Sequence, residues 1–418
     1  MADKKKIMVF ADHPLSPSGV GTQTKYFIEA LLKTNRYKFV CFGGAIKHQA
    51  SNSMKVAPYG DDWIIHPIEG YGTQDLARQA IWTEKPDAVW IMTDPRFWGW
   101  LWEIEEEVRS HCPLVYYHVW DNYPYPTFNK KFYECNDAIA TISKVTDNAV
   151  KNVSPEIKRR YIPHAVNPDI FAPSSEDVIK KFKKENFQQE DGKFVVFWNN
   201  RNARRKQSGS LIFWFKKFLD VVGHDKAALI MHTDTKDAHG QDLDAIISHL
   251  GLTNGEVKFS RQKIPPEALA ALYNAVDITI NISDAEGFGL GTLESLSCGT
   301  PIIVSMTGGL QEQVTDGKEW FGVGIEPASK AVIGSQEIPF IREDRLNEDD
   351  VVNALVKLYE MTNKERKELG RKGREHVSKN YSFKQFETSW VEFMDEIMEK
   401  NGSWDTRKNY RAWEQIRL

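Results

Sequence analysis

The sequence predicts an α/β protein built from two Rossmann-like parallel sheets in tandem, and three observations carry that prediction. Short apolar or β-branched runs alternate with helix-period segments through the first half, and the alternation starts again in the second. The stretch from Pro163 to Pro173 holds three prolines, which stop regular structure between the two series. At 418 residues the chain is too long for one ordinary core.

The elements follow in order. Residues 7–11 form a short apolar strand. Residues 22–34 have helical spacing, with Tyr26, Phe27, Ala30 and Leu31 on one side. Residues 37–42, 87–92, 114–119, 137–142 and 160–162 read as further strands. In the second half the strands are 194–198, 227–231, 257–259, 276–283 and 301–304. Helices are expected at 210–222, at 266–274 behind Pro265 and Pro266, and at 291–298. Past residue 350 the chain reads as helical. Strands separated by helices imply parallel pairing through crossovers.

Composition is that of a globular protein, with 41% hydrophobic and 27% charged residues. No apolar run approaches the length needed to span a bilayer. The basic start ends its apolar run at Ala11, so it reads as a first strand and not as a secretory signal. Cys41, Cys112, Cys135 and Cys298 lack metal-like spacing and read as reduced thiols, which places the chain in the cytoplasm. Net charge is −4, and residues 1–170 hold 20 basic against 20 acidic side chains, so neither half is built to coat a polyanion.

The most specific run is Ser283 to Pro301. Glu286 and Glu294 bracket seven residues, and Cys298-Gly299-Thr300-Pro301 and Gly308-Gly309 with Glu312 follow. Gly287 and Gly289 stand at the turn from strand to helix, where backbone N–H groups can approach phosphates. After the strand 194–198 comes a basic loop, Arg201 to Lys206. The first strand leads into a second glycine loop with Gly19 and Gly21. It lacks the third glycine of a dinucleotide fingerprint, which lowers the case for a nicotinamide enzyme.

This run resembles the signature of retaining GT-B glycosyltransferases, family 4 in particular. The resemblance implies two Rossmann-like domains facing a central cleft. They would span residues 1–168 on the acceptor side and 169–382 on the nucleotide-sugar side, with 383–418 a helix returning to the first. It implies that Arg201 and Lys206 grip a diphosphate, that Glu286 touches the transferred sugar, and that Glu294 takes ribose hydroxyls. Gly287, Phe288, Gly289 and Leu290 would offer backbone N–H groups, and Gly19 and Gly21 would lie under the donor and acceptor. His118, at a strand end, would point toward the transferred sugar, with Asp121 and Asp94 weaker candidates; a core histidine is the plainer alternative. Arg261 would lie beside the base. Arg204 and Arg205 are expected on the surface. The family's glycine after the lysine is Gln207 here, and His164-Ala165 replaces its hinge Asn-Gly or His-Gly.

The implied activity is retaining, metal-independent transfer of a sugar from a UDP- or GDP-linked donor to a hydroxyl of a saccharide or glycolipid, with no cofactor. Asp242 and Asp244 match a metal-binding Asp-x-Asp, but at a helix start a cap is the better reading. Two alternatives remain. The first half is dense in aromatics, among them Trp82, Trp90, Trp98, Tyr116 and Tyr117, which could stack on an extruded DNA base; such rings more often fill a core. The other is a nucleotide-sugar binder without catalysis.

Overall fold

The computed structural model describes residues 3–45, 52–187 and 192–412. The chain divides into two compact units. Unit 1 comprises residues 1–164, 334–339 and 384–418; unit 2 comprises 165–333 and 340–383.

Unit 1 is centred on an eight-stranded sheet. Its strands are β1 (Lys5–Asp12), β2 (Tyr37–Gly44), β3 (Met54–Val56), β4 (Gly60–Pro67), β5 (Ala88–Thr93), β6 (Leu114–His118), β7 (Ala138–Thr141) and β8 (Arg159–Tyr161). They lie in the order β3-β4-β2-β1-β5-β6-β7-β8. All pairs are parallel except the edge pair β3–β4. Strand β5 is buried along its whole length, as a central parallel strand covered on both faces must be. Strands β3 and β4 and the helix Gln74–Glu84 escape the sequence reading. The buried Trp63 and Ile65 of β4 do carry a two-residue period, diluted by Asp61, Asp62 and His66.

Helix Phe383–Asn401 carries Trp390, which meets Phe27 and Trp90 edge-on with ring centroids 4.7 and 5.9 Å away. Phe27 itself stacks on Trp90 at 4.3 Å. Arg36 forks onto Asp395 at 2.7 and 2.8 Å, which fixes the helix against the sheet. The helix ends at Asn401, well short of the 383–418 helix expected from the sequence. The aromatic density is largely core: Trp90, Trp98, Tyr116 and Tyr117 are fully buried.

Unit 2 holds a six-stranded, all-parallel sheet. Its strands are β9 (Phe194–Asn199), β10 (Ala227–His232), β11 (Val257–Ser260), β12 (Ile278–Asn281), β13 (Ile302–Ser305) and β14 (Gly322–Ile325), in the order β11-β10-β9-β12-β13-β14. The order reverses between β9 and β12. Crevices at the carboxyl ends of strands open at such a switch point, because the two connections leave in opposite directions. An antiparallel hairpin, β15 (Ser329–Ile333) and β16 (Ile341–Arg345), was not foreseen from the sequence. Its strand Ser329–Ile333 has no buried residue and hence no apolar alternation to read.

Candidate functional site

Strands β9, β12 and β13 are neighbours, so the loops leaving their carboxyl ends lie side by side. Those loops carry Arg201 to Lys206, Ser283 to Leu290, and Met306 to Leu310. Lys206 is buried and forms an ion pair with Glu286. Asn281 at the end of β12 stands 3.4 Å from the same carboxylate. Burial works to raise the Glu286 carboxyl. The Lys206 and Arg205 charges, with hydrogen bonds from Lys206 and Asn281, outweigh it and hold the group below its ordinary value.

Gly308 and Gly309 close the loop from the other side. The Gly309 amide donates to the Glu286 carbonyl at 3.0 Å. A Cβ on Gly308 would sit 1.7 Å from that carbonyl oxygen, and its φ of +48° is left-handed, so glycine is required there. Gln313 donates its amide to the Phe288 and Gly289 carbonyls at 2.6 and 3.1 Å. Those carbonyls are thereby fixed at the start of the helix Leu290–Ser297, which Gly289 caps. The first-turn N–H groups of a helix lack intrahelical acceptors, and this end attracts anions.

Glu294 sits in that helix and accepts from the Tyr273 hydroxyl at 2.9 Å. Tyr273 accepts in turn from Asn199 at the end of β9, 2.8 Å away. Burial pushes the Glu294 carboxyl up to about 7, against the lowering effect of the Tyr273 hydrogen bond.

Not every expected site residue lies in this group. Arg201 is more than half exposed and forks onto Asp237, in the loop after β10, at 2.6 and 2.9 Å. The two cations therefore lean to opposite sides of the β9 end, Lys206 toward β12 and Arg201 toward β10. Arg261 follows β11, two strands from β9, and pairs with Asp244 at 2.5 Å.

In unit 1, Gly19 opens the helix Gly19–Leu32, and Ser18 caps it by accepting from the Gly21 amide at 2.9 Å. A Cβ on Gly21 would stand 2.3 Å from the Ser16 hydroxyl and 2.7 Å from the His13 carbonyl, so close packing of the 13–16 loop explains this glycine.

His118 corrects its expectation. It ends β6, yet it is fully buried, and both ring nitrogens have tyrosine partners. Tyr116 donates to the Thr93 carbonyl at 2.6 Å, so the Nδ1–H of His118 donates to Tyr116 at 2.9 Å. Nε2 then accepts from Tyr133 at 2.8 Å. Burial drives its pKa down to about 3, which leaves a neutral core histidine. Asp94 caps the short turn Pro95–Phe97 and forks onto Arg96.

Arg205 is less exposed than expected. It is half-buried, and it donates to the Ala285 carbonyl at 2.6 Å, beside Glu286. Arg204 is exposed but reaches the buried Glu343 of β16 at 2.9 and 2.6 Å. Arg345 joins Glu343 to Asp284, and Gln207 donates to Asp284 at 2.6 Å. The hairpin thus ties both loops of the site together. Asp242 caps the helix Leu243–Leu250 through the Ala245 amide at 3.0 Å.

Sequence reasoning missed Tyr273, Asn199, Gln313 and Glu343. Each meets its partner across an element boundary, where no sequence spacing marks the contact. Asp284 lay inside the motif, two residues before Glu286.

Among the described residues no helix is long and apolar enough to cross a membrane. Residues 179–376 match the family model described as glycosyl transferases group 1. The D-inositol 3-phosphate glycosyltransferase of Corynebacterium jeikeium is 30% identical over 179 residues, 41% of either chain. The chain thus spans about two fifths or less of the length of the curated relatives it matches first. Among solved structures, sucrose-phosphate synthase from Thermosynechococcus elongatus superposes with a TM-score of 0.75 at 16% identity. That match covers 95% of this chain and all of the other. Anabaena HepE, solved with UDP and glucose, gives 0.68 at 16% identity over 94% and 100%. Residues 179–376 therefore carry the glycosyl transferases group 1 sequence, in a chain with the fold of the GT-B glycosyltransferases.

Proposed function

We propose that the chain is a retaining glycosyltransferase that moves a sugar from a UDP- or GDP-linked donor to a hydroxyl of a saccharide or glycolipid. The observation that carries this reading is the buried Lys206–Glu286 pair, set between the Gly308 turn and the amino end of the helix Leu290–Ser297. A nucleotide diphosphate needs cation and amide donors, and a sugar needs a fixed carboxylate; here both stand at one switch point. Support also comes from relatives named as glycosyltransferases and from the UDP-glucose complex of HepE.

In the proposed reaction the bond from the anomeric carbon to the diphosphate oxygen breaks. The acceptor oxygen bonds to that carbon from the same face. The acceptor proton passes to the departing phosphate oxygen, so no protein base is required. Lys206 and the amides of Gly287 to Leu290 stabilise the charge gathering on the phosphate, and Arg201 joins them after leaving Asp237. Glu286 orients sugar hydroxyls, and Glu294 takes the ribose. His118 positions the β5 and β6 ends through its tyrosines and is not placed against substrate. Asp242 and Asp244 are engaged in a cap and an ion pair, so the reading includes neither a metal nor a cofactor. The reaction is assigned to the cytoplasm.

The test is thermal stabilisation by UDP, GDP, ADP and TDP sugars, followed by nucleotide release with candidate acceptors. A ligand at about 100 times its Kd adds roughly 2.7 kcal/mol. NMR of the product then reads the anomeric configuration. No stabilisation by any of the four would overturn the proposal, and an inverted product would overturn retention.

A further inference from the structure

A cavity of about 650 Å³ opens in unit 2 at the amino ends of β12 and β13. Asp277 and Pro301, which precede those strands, line it. The Glu286 and Gly308 loops leave the opposite ends of the same strands, roughly 13 Å away at 3.3 Å per residue. Its walls also include the helices Glu176–Asn186 and Asn363–Asn380, residues 173–174, Asn274 and residues 298–300. The volume lies in the range of small-molecule sites.

Its charge is one-sided. Lys180, Lys183, Arg366, Lys367, Arg371 and Arg374 line it against only Glu176 and Asp277. Both carboxylates are already answered, Glu176 by Lys367 at 2.8 Å and Asp277 by Arg366 at 3.2 Å, and Arg371 pairs with Glu368 and Glu375 beyond the lining, which leaves Lys180, Lys183 and Arg374 as the surplus. Arg374 is fixed by neutral oxygens, the Phe171 carbonyl and the Ser297 hydroxyl, each at 2.9 Å, and the Ser297 carbonyl. Lys180 and Lys183 stand three apart on one helix, so both project to the same side. Such a surplus on a chain of net charge −4 is a local feature and not a reflection of composition.

We propose that this cavity binds a multiply phosphorylated anion at a site separate from the donor loops. Lys180, Lys183 and Arg374 supply the cations. A guanidinium and two ammonium groups suit clustered phosphate oxygens, the first by forked hydrogen bonds and the others as point charges. The phosphates belong either to a free metabolite or to a lipid headgroup.

The test uses inorganic tripolyphosphate, titrated calorimetrically into the whole protein, with hydrogen exchange to locate the contact. The expected result is saturable binding that weakens steeply as salt rises. Protection should fall on the helices Glu176–Asn186 and Asn363–Asn380. Lys180→Gln/Lys183→Gln should weaken the binding at least tenfold while leaving nucleotide-induced stabilisation unchanged. A parallel arm sediments the protein with phosphatidylcholine vesicles, with and without phosphatidylinositol phosphate. Lysine-dependent binding to tripolyphosphate assigns a free ligand, and lysine-dependent binding to the anionic vesicles alone assigns a headgroup. Binding insensitive to the double substitution, protection confined to residues 284–290, or no binding in either arm overturns the proposal.

Discussion

Lys206→Ala separates what the ion pair does for stability from what it does for chemistry. The Lys206 and Glu286 side chains are only 9% and 12% exposed. Removing one member of a buried pair costs about 3–5 kcal/mol, most of it the penalty of a stranded charge. Arg205 and the Asn281 amide still face Glu286, so the loss falls at the lower end, about 3 kcal/mol near neutral pH. For a domain of this size that lowers the melting temperature by roughly 6–12 °C. A carboxylate whose folded pKa is depressed contributes stability above its unfolded pKa and loses it as pH falls through the folded one. In the variant the sign reverses. Burial then acts with less opposition, the Glu286 pKa rises above its unfolded value, and protonation relieves the penalty. The melting gap to wild type should therefore narrow from about pH 7.5 to about pH 5. Lys206→Ala/Glu286→Gln, with no stranded charge, should regain about 2 kcal/mol. Sugar transfer should fall on the order of 10²–10³-fold in both variants. Calorimetric melting at the two pH values and a nucleotide-release assay measure these outcomes. Wild-type melting at both pH values, together with wild-type transfer, would refute the reasoning.

Three further predictions rest on single contacts. Arg201→Ala strands Asp237, whose side chain is only 10% exposed, and should cost about 1–3 kcal/mol while slowing transfer roughly tenfold or more; unchanged kcat/KM would remove Arg201 from the site. Glu294 has a folded pKa raised to about 7, so wild-type stability should fall as pH rises from the ordinary glutamate range through that value. Glu294→Gln should flatten this slope, melting higher than wild type at about pH 8 and level with it at about pH 5, while binding nucleotide about tenfold more weakly; parallel melting profiles would contradict the pKa cause. Gly308→Ala places a methyl carbon against the Glu286 carbonyl in left-handed backbone. It should cost roughly 2–4 kcal/mol and abolish nucleotide-induced stabilisation, and a stable variant that still responds to nucleotide would contradict the packing.

Much of the fold was legible because its strongest signals are local. Phe194–Asn199 and Ala88–Thr93 are mostly apolar, buried runs with loops at both ends, and hydrophobicity places them to within one residue, missing only the polar ends Asn199 and Thr93. Met54–Val56 and the hairpin strand Ser329–Ile333 were not legible, since edge strands with exposed faces need no apolar pattern. In the site, the Glu286 loop could be read from its glycines and from the strand before it. The burial of His118 could not, because it depends on Tyr133 in a helix fifteen residues further on.

By itself the sequence determined two tandem α/β series, a glycine-bearing turn between a strand and a helix at residues 283–290, and a basic loop at the end of an earlier strand. Each is a property of a few consecutive residues. Only the tertiary structure decided partners: that Lys206 meets Glu286, that Arg201 turns instead to Asp237, and that Glu343 gathers Arg204 and Arg345. The physical reason is strand order. Which loops become neighbours depends on β12 lying beside β9, with β10 on its other side, and that placement minimises the free energy of the whole sheet and its covering helices rather than of any one segment.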